Sequence, residues 1–291
     1  MHQLSAEQRE LIDTLVRELA AVEGVAAVVL GGSYARGCAH IGSDIDLGLL
    51  YCAQAPFAVD AIRELAQRVD DTAHPVVTDF YEWGPWVNGG AWLTVRGQRV
   101  DLLYRSLEHL ERVIADAEVG RYEIHHSQQP PFGFFSATYL GELAVCVPLF
   151  DRSDRLDRLR SRAARYPDAL RTAVVQDSLW QVEFALATAR KRAARTDVYG
   201  TAGCATRAAF HLVLALFALN RVYLLNDKTA LAECAGFAQA PRRFGTRLQS
   251  ILSRPGASDA ELAETLTALG ELLHETVALT EGLYSARYQL P

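Results

Sequence analysis

The sequence predicts an α/β plus α architecture: a domain built on a small mixed β-sheet over residues 1–150, followed by an all-helical domain over residues 151–291. In the first half, short apolar runs bounded by Gly and Pro turns alternate with amphipathic stretches, which is typical of strands flanked by helices. After residue 151 the strand-like runs disappear, and Ala, Leu and Arg dominate. A length of 291 residues is enough for two modest domains or one large one.

Composition and charge exclude several classes of protein. The formal net charge of −6 disfavours a duplex DNA partner, because phosphate contacts need a basic surface. The acidic balance fits a pocket for a cationic substrate, and surface solubility explains it equally well. Five scattered cysteines without a CxxC pair indicate neither a disulfide framework nor a zinc site, which favours a reducing, cytoplasmic location. The apolar stretch 208–219 is too short to span a bilayer, so no membrane partner is expected.

The first element predicted along the chain is a helix over residues 4–20. Ser5 and Gln8 have the spacing of a capping box, and an apolar stripe recurs at helical spacing along the segment. Gly24 ends the helix. Six small or β-branched apolar residues follow at 25–30, and they predict a buried strand.

A turn and a pair of aspartates follow this strand. Gly32 and Ser33 break the apolar run and open a turn. After ten intervening residues come Asp44 and Asp46, at the start of a second apolar strand that ends at Tyr51. Because side chains alternate along a strand, the two carboxylates point to the same face.

Paired carboxylates at the mouth of a strand repel each other and are costly to desolvate. A divalent cation removes that cost, and Mg²⁺ prefers one or two carboxylates together with phosphate oxygens. Glycines let the backbone approach a phosphate closely, and the start of a following helix favours its negative charge. An ordinary glycine turn followed by an Asx-rich loop explains either half of the pattern alone. The two halves together indicate a nucleotide–metal site.

This pattern, Gly32-Ser33, ten residues and then Asp44-x-Asp46, resembles the signature of the DNA polymerase β-type nucleotidyltransferase superfamily. The resemblance implies transfer of a nucleoside monophosphate from an NTP to a hydroxyl, with two Mg²⁺ ions held by three carboxylates. It implies that the third carboxylate lies on a later strand, and Asp101 fits that position.

The strand that carries Asp101 is predicted as the second arm of a hairpin. Strands are expected over residues 76–83, 91–96 and 99–105, with Gly97-Gln98 as a two-residue turn. Alternation along the last strand places Asp101 on the face opposite to its apolar neighbours, where it can face Asp44 and Asp46.

The remaining segments of the first domain predict helices and loops. Helices are expected over residues 59–69, 108–117 and 134–147, and Pro148 is expected to close the last of these. The aromatic, turn-rich segment 82–90 either stacks a base, lines an acceptor pocket or forms a packed hairpin tip. Asp79 and Glu82 are both candidates for the general base that deprotonates the acceptor hydroxyl, and the sequence does not choose between them.

The second domain predicts helices throughout, over residues 168–195, 201–225, 228–236, 241–253 and 258–286. Three polar residues on apolar helices are interpreted as satisfied buried groups: Glu183, Arg207 and His211. Lys228 is one of only two lysines in a chain rich in arginine. Its position resembles that of a lysine in the helical domain of aminoglycoside adenylyltransferases of the spectinomycin/streptomycin type, where it contacts the ATP phosphates. The alternative for Lys228 is a surface residue in the first turn of a helix.

The resemblance implies an active site in the cleft between the domains. Gly32 and Ser33 would bind the β- and γ-phosphates of the NTP, most simply ATP, and Arg36 would add positive charge there or cap a helix. The expected acceptor is a small hydroxyl-bearing compound of the aminoglycoside or related antibiotic type. The alternatives are a protein or RNA target modified by AMP transfer, as in toxin–antitoxin pairs, and a non-catalytic nucleotide-binding protein. Templated DNA synthesis is disfavoured because the sequence has no basic DNA-binding module.

Overall fold

The computed structural model describes residues 4–72 and 74–287, which form two compact units. The first unit contains the described residues up to Asp116 together with Tyr122–Arg165. The second contains Ala117–Arg121 and the described residues from Tyr166 onward.

The chain enters the first unit through helix α1, Ala6–Ala21. The predicted capping box is present: the Ser5 hydroxyl accepts a hydrogen bond from the Gln8 backbone N–H, and the Gln8 side chain accepts one from the Ser5 N–H. These two bonds satisfy backbone donors that the first turn of any helix leaves open. The apolar stripe predicted from the sequence is buried.

The sheet of the first unit is mixed, as the sequence predicts. The remaining elements of this unit are β1 (Val25–Leu30), α2 (Gly32–Arg36), β2 (Ile45–Tyr51), α3 (Val59–Val69), β3 (Val76–Val77), β4 (Gly90–Val95), β5 (Gln98–Ser106), α4 (Leu107–Glu118), β6 (Ile124–His125), β7 (Phe134–Phe135), α5 (Thr138–Val145), β8 (Val147–Asp151) and α6 (Arg155–Ala163). Within the described residues, six strands form one sheet in the order β3-β4-β5-β2-β1-β8, and β6 pairs with β7. Only the β2–β5 pairing in the six-stranded sheet is parallel.

One face of the sheet forms the hydrophobic core of the first unit. Alternate residues of β2 and β5, among them Leu47, Leu49, Leu102 and Tyr104, are fully or almost fully buried there together with α1 and α3. The intervening residues of the same strands point to the other face, because side chains alternate along a strand. That second face carries the carboxylates.

The predicted strand over residues 76–83 is wrong beyond Val77. The chain leaves the sheet there and makes turns through Tyr81, whose φ is 62° and whose backbone N–H donates to the side-chain oxygen of Asn88. A residue with positive φ cannot continue a β-strand, and the hydrophobic pattern of the sequence does not reveal where such a residue lies. Thr78 still hydrogen-bonds to Gly90 through its backbone and its hydroxyl, which ties the segment to β4.

The hairpin between β4 and β5 turns one residue earlier than the sequence predicts. Val95 pairs with Gln98, so Arg96 and Gly97 are the two turn residues. Both have positive φ, 51° and 73°, as a type I′ turn requires. Asp71 accepts the N–H groups of both turn residues, at 3.1 and 2.6 Å, and stabilises this conformation.

The predicted helix over residues 134–147 is also wrong at both ends. Phe134–Phe135 pairs with Ile124–His125 as a short hairpin, and α5 begins at Thr138. Pro148 does not follow a helix but lies in β8, paired with Val29 of β1. β8 is an edge strand, where a residue without an N–H group is tolerated.

The second unit is helical in its described part, as predicted. Its helices are α7 (Asp168–Ala193), α8 (Val198–Leu219), α9 (Ala230–Cys234), α10 (Phe244–Ser253) and α11 (Asp259–Ala278). The predicted helices that run to residues 225 and 286 end earlier, at Leu219 and Ala278. Among the described helices, α8 alone is long and apolar enough to cross a membrane, and 72% of its most apolar window is buried, as in the core helix of a globular unit.

Candidate active site

The predicted carboxylates lie on the open face of the sheet. Asp46 in β2 and Asp101 in β5 are direct partners in the parallel pairing of these strands. Neighbouring strands are about 4.8 Å apart, so the two side chains stand next to each other on the same face. Asp44 lies just before β2 and two positions from Asp46, on the same face by strand alternation. The three predicted aspartates therefore lie on one face of the sheet.

We call Asp44, Asp46 and Asp101 the carboxylate row. The glycine turn lies directly against it. The backbone N–H of Gly31 donates to the carbonyl oxygen of Asp46 at 2.8 Å. Gly32 has φ of +57°, and a Cβ placed on it would lie only 1.7 Å from Oδ2 of Asp46. Any side chain at this position would displace the Asp46 carboxylate, which explains why the motif needs glycine here. Ser33 follows in the first turn of α2.

The environment of Asp101 opposes its ionisation. Burial raises the pKa of the Asp101 carboxyl, the negative charge of Asp44 raises it further, and the Arg99 guanidinium opposes both. A buried carboxyl group beside a second negative charge is an electrostatic environment in which a bound cation is favoured.

Arg99 supplies positive charge at this row. Its Nε atom lies 2.6 Å from Oδ1 of Asp44, while its own side chain is mostly exposed. Asp44 Oδ1 is buried and accepts no hydrogen bond, so the contact is an ion pair without hydrogen-bond geometry. The sequence analysis missed Arg99, although its position two residues before Asp101 on one strand places both on the same face.

The donor chemistry of the row fits a hard divalent cation. It consists of carboxylate oxygens, which Mg²⁺ prefers, and the buried Oδ1 of Asp44 lacks a hydrogen-bond donor. Within residues 4–72 and 74–287, however, no three His, Cys, Asp or Glu side chains are close enough together to hold a metal ion.

A family model described as a nucleotidyltransferase domain matches residues 10–119. The first unit carries a nucleotidyltransferase domain. The match includes the glycine turn and all three aspartates, and it confirms the resemblance stated from the sequence. A second family model, described as a domain of unknown function (DUF4037), matches residues 136–228.

Comparisons with whole proteins add less. No curated protein matches the chain. Among the solved structures that match is a nucleotidyltransferase-like protein from Exiguobacterium sibiricum, at 11% sequence identity and a TM-score of 0.46. That match covers 96% of this chain and 78% of the other. The assignment of the nucleotidyltransferase domain therefore rests on the family model.

The other predicted nucleotide-binding residues lie at different places. Arg36 is the last residue of α2, four positions after Gly32, and is half-buried. Because residues four apart share a helix face, Arg36 lies on the same face of α2 as Gly32. Lys228 belongs to the second unit, where it is exposed two residues before α9.

The two candidate general bases are engaged in contacts of their own. Asp79 Oδ1 lies 2.6 Å from Arg63 on α3, and its side chain is mostly exposed. Glu82 Oε2 accepts the backbone N–H of Asp79 at 2.8 Å. Neither contact joins these residues to the carboxylate row of the nucleotidyltransferase domain.

Two of the three polar residues predicted on apolar helices hydrogen-bond to other groups of the second unit. Glu183 is fully buried, and its two carboxylate oxygens lie 3.0 and 3.3 Å from the backbone N–H donor of Arg287. Arg207 donates to the side chain of Gln181 at 2.7 Å. His211 is buried in α8. Glu183 thus fits the interpretation as a satisfied buried group, whereas Arg207 is hydrogen-bonded but exposed, so its predicted burial is wrong.

Proposed function

We propose that this protein transfers AMP from ATP to a hydroxyl group of a small, cationic, aminoglycoside-like acceptor, with Mg²⁺ as cofactor. The observation that carries the proposal is the direct pairing of Asp46 with Asp101, beside a glycine whose missing side chain leaves room for the Asp46 carboxylate. The nucleotidyltransferase domain assigns the general reaction, and the nucleotide, the metal and the acceptor are proposals.

The proposed reaction balances as a substitution at phosphorus. The acceptor oxygen forms a bond to the α-phosphorus of ATP, the bond between that phosphorus and the bridging oxygen breaks, and pyrophosphate leaves. The hydroxyl proton passes to a base or to water. Mg²⁺ held by Asp44, Asp46 and Asp101 would supply positive charge for the attacking and leaving oxygens.

The residues of this chain bind and orient the reactants. The backbone at Gly32 and Ser33 approaches the β- and γ-phosphates, because no Cβ at Gly32 obstructs it. Arg36 adds positive charge for the triphosphate, and the phosphate contact of Lys228 stays a prediction from the sequence. Asp44 would exchange Arg99 for the cation if Mg²⁺ is bound.

The acceptor class follows from charge and architecture. A net charge of −6 and three clustered aspartates favour a positively charged acceptor over a nucleic acid. The helical second unit resembles in layout the C-terminal domain of aminoglycoside adenylyltransferases. One observation favours a second candidate, a nucleotide-binding protein without catalysis: Arg99 already neutralises Asp44, as a cation at an inactive site would.

The test is an acceptor screen with a matched aspartate variant. We expect the wild type to release pyrophosphate from Mg-ATP in the presence of one aminoglycoside or lincosamide, and to stop when EDTA removes the metal. Asp44→Asn should lower the rate at least about a hundredfold, since metal-stabilised charge is worth several kcal/mol and about 1.4 kcal/mol is a tenfold change in rate. The control is Asp60→Asn, because Asp60 is exposed on α3.

Different outcomes separate the candidate functions. Transfer of label from α-labelled ATP to protein or RNA in a cell lysate, without a response to small acceptors, would replace the small acceptor with a macromolecule. ATP binding measured by calorimetry without any pyrophosphate release would replace the enzyme with a binding protein. Release that is unchanged in Asp44→Asn would contradict the assigned site.

A further inference from the structure

A pair of stacked tryptophans stands beside the carboxylate row. Trp92 lies in β4 and is the direct pairing partner of Asp101 across the β4–β5 hairpin. Its side chain is on the open face of the sheet and is 53% exposed. The ring of Trp83 stacks against it, with centroids 4.8 Å apart and planes 23° from parallel. An exposed indole ring backed by a second, half-buried indole is an apolar surface of the kind that can mark a binding site.

The fold positions this pair closely. The ring of Trp83 lies over Gly90, two residues before Trp92 on the same strand face, and a Cβ at Gly90 would come within 2.9 Å of that ring. The backbone N–H of Trp83 donates to the carbonyl of Asn88 at 2.8 Å, and Gln128 donates to the Trp83 carbonyl. Hydrogen bonds at both the N–H and the carbonyl of Trp83 therefore fix the backbone that carries its ring.

The pair lies at the opposite end of the row from the glycine turn. Across the sheet, the order is Trp92 on β4, Asp101 on β5, Asp46 on β2 and Gly32 directly after β1. Three strand spacings separate the two ends, roughly 14 Å. The phosphate end and the aromatic end are thus too far apart to contact the same phosphate group, and Asp101 is the carboxylate nearest the tryptophans.

We propose that Trp92 and Trp83 form the platform that binds the acceptor, and that the platform recognises a saturated ring carrying amino groups. This inference rests on the proposed function, because it assigns the acceptor side of the same site. The platform places the ring next to Asp101, so that a hydroxyl on the ring reaches the carboxylate row. Both tryptophans belong to the first unit.

Charge and ring chemistry select this ligand class. The face of an indole carries negative potential and attracts cations, and it also accepts the C–H face of a sugar or cyclitol ring. Asp101 adds a carboxylate on the adjoining strand, directly opposite Trp92. An ammonium on the acceptor gains from both sources, whereas the polyanionic triphosphate of a nucleotide is repelled from this end.

The test measures binding and catalysis separately. The probes are streptomycin and spectinomycin as cationic ring compounds, maltose as a neutral ring compound, and Mg-ATP, each titrated by calorimetry. The variants are Trp92→Ala, Trp92→Phe and, as a matched control, Phe184→Ala. Phe184 is 47% exposed and stacks on Trp180 in the second unit, so its removal also deletes an exposed ring from a stacked pair.

We expect at least one cationic probe to bind the wild type more tightly than maltose. Trp92→Ala should raise the dissociation constant of that probe about ten- to a hundredfold, the range found for loss of an aromatic stacking surface. Trp92→Phe should retain most of the affinity, because it keeps an aromatic face. The affinity for Mg-ATP should be the same in all variants, and Phe184→Ala should behave as the wild type.

Equal probe affinity in Trp92→Ala and the wild type would overturn the inference, and so would a failure of both cationic probes to bind the wild type. Weakened binding of Mg-ATP alone in Trp92→Ala would also overturn it, because it would assign the platform to the nucleobase. Pyrophosphate release with the bound probe distinguishes this failure from failure of the proposed function. Release that does not depend on Trp92 would keep the function and remove the platform. Probe binding that depends on Trp92 without release would keep the platform and remove the transfer reaction.

Discussion

Asp101→Asn is expected to abolish pyrophosphate release and, at the same time, to raise the melting temperature of the protein. Burial and the charge of Asp44 raise the pKa of Asp101, so ionising this group costs the folded state free energy at neutral pH. Asparagine keeps the shape and removes the charge. The same change removes a metal-binding oxygen, and we expect the rate to fall at least about a hundredfold.

The sign of this effect can be checked against pH. A carboxyl group whose pKa is raised in the folded state destabilises the fold increasingly as the pH rises from its unfolded pKa to its folded pKa, and the penalty is absent below the unfolded pKa. The melting temperature difference between Asp101→Asn and the wild type should therefore be largest at neutral pH and shrink in acid. Calorimetric melting in EDTA, with Asp60→Asn as control, measures it. A variant less stable than the wild type at neutral pH would contradict the electrostatic description of the row.

Arg105→Ala is expected to destabilise the first unit by roughly 3 kcal/mol. Arg105 is 8% exposed and forms a two-pronged ion pair with Glu142 of α5, at 3.0 and 3.1 Å. It also donates to the carbonyls of Val87 and Tyr104. Burial alone would lower the pKa of Arg105, but the Glu142 carboxylate reverses this and holds the pKa above its ordinary value. Alanine leaves the carboxylate and both carbonyls without their donor.

Urea unfolding followed by tryptophan fluorescence measures this loss, since Trp83, Trp86 and Trp92 all lie in the first unit. Arg68→Ala is the matched control. Arg68 forms a single ion pair with Glu18 at 2.9 Å, and both side chains are about half exposed. Such surface pairs contribute at most about 1 kcal/mol. Equal losses of unfolding free energy in the two variants would show that burial of the Arg105–Glu142 pair adds nothing to the stability of the first unit.

The regular part of the fold could be predicted because hydrophobic pattern and local turn chemistry agree there. The bounds of β1 and α3 match the prediction at both ends, and the Ser5–Gln8 capping box is present. The errors fall where tertiary contacts override the pattern. Pro148 pairs at a sheet edge instead of ending a helix, and this depends on β1, which is remote in sequence.

The carboxylate row could be predicted because its members are fixed by strand alternation and by a motif with close spacing. The contacts that the row makes with other residues could not be predicted. Arg99 reaches Asp44 from another strand, and Trp92 comes to lie beside Asp101 only through the register of the β4–β5 hairpin. Because a turn displaced by one residue changes the pairing by two, the predicted turn would pair Trp92 with Leu103, on the same face but two residues along the strand from Asp101.

Pyrophosphate release by the wild type and by Asp46→Asn, purified in parallel and assayed with Mg-ATP and the best acceptor of the screen, tests the central claim most directly. Asp46 pairs with Asp101 and occupies the space that Gly32 leaves open, so no other residue can take its place. The account predicts release that requires Mg²⁺ in the wild type and falls at least about a hundredfold in Asp46→Asn, with unchanged melting behaviour. Release at the wild-type rate by a folded Asp46→Asn would show that the carboxylate row is not the site of nucleotidyl transfer.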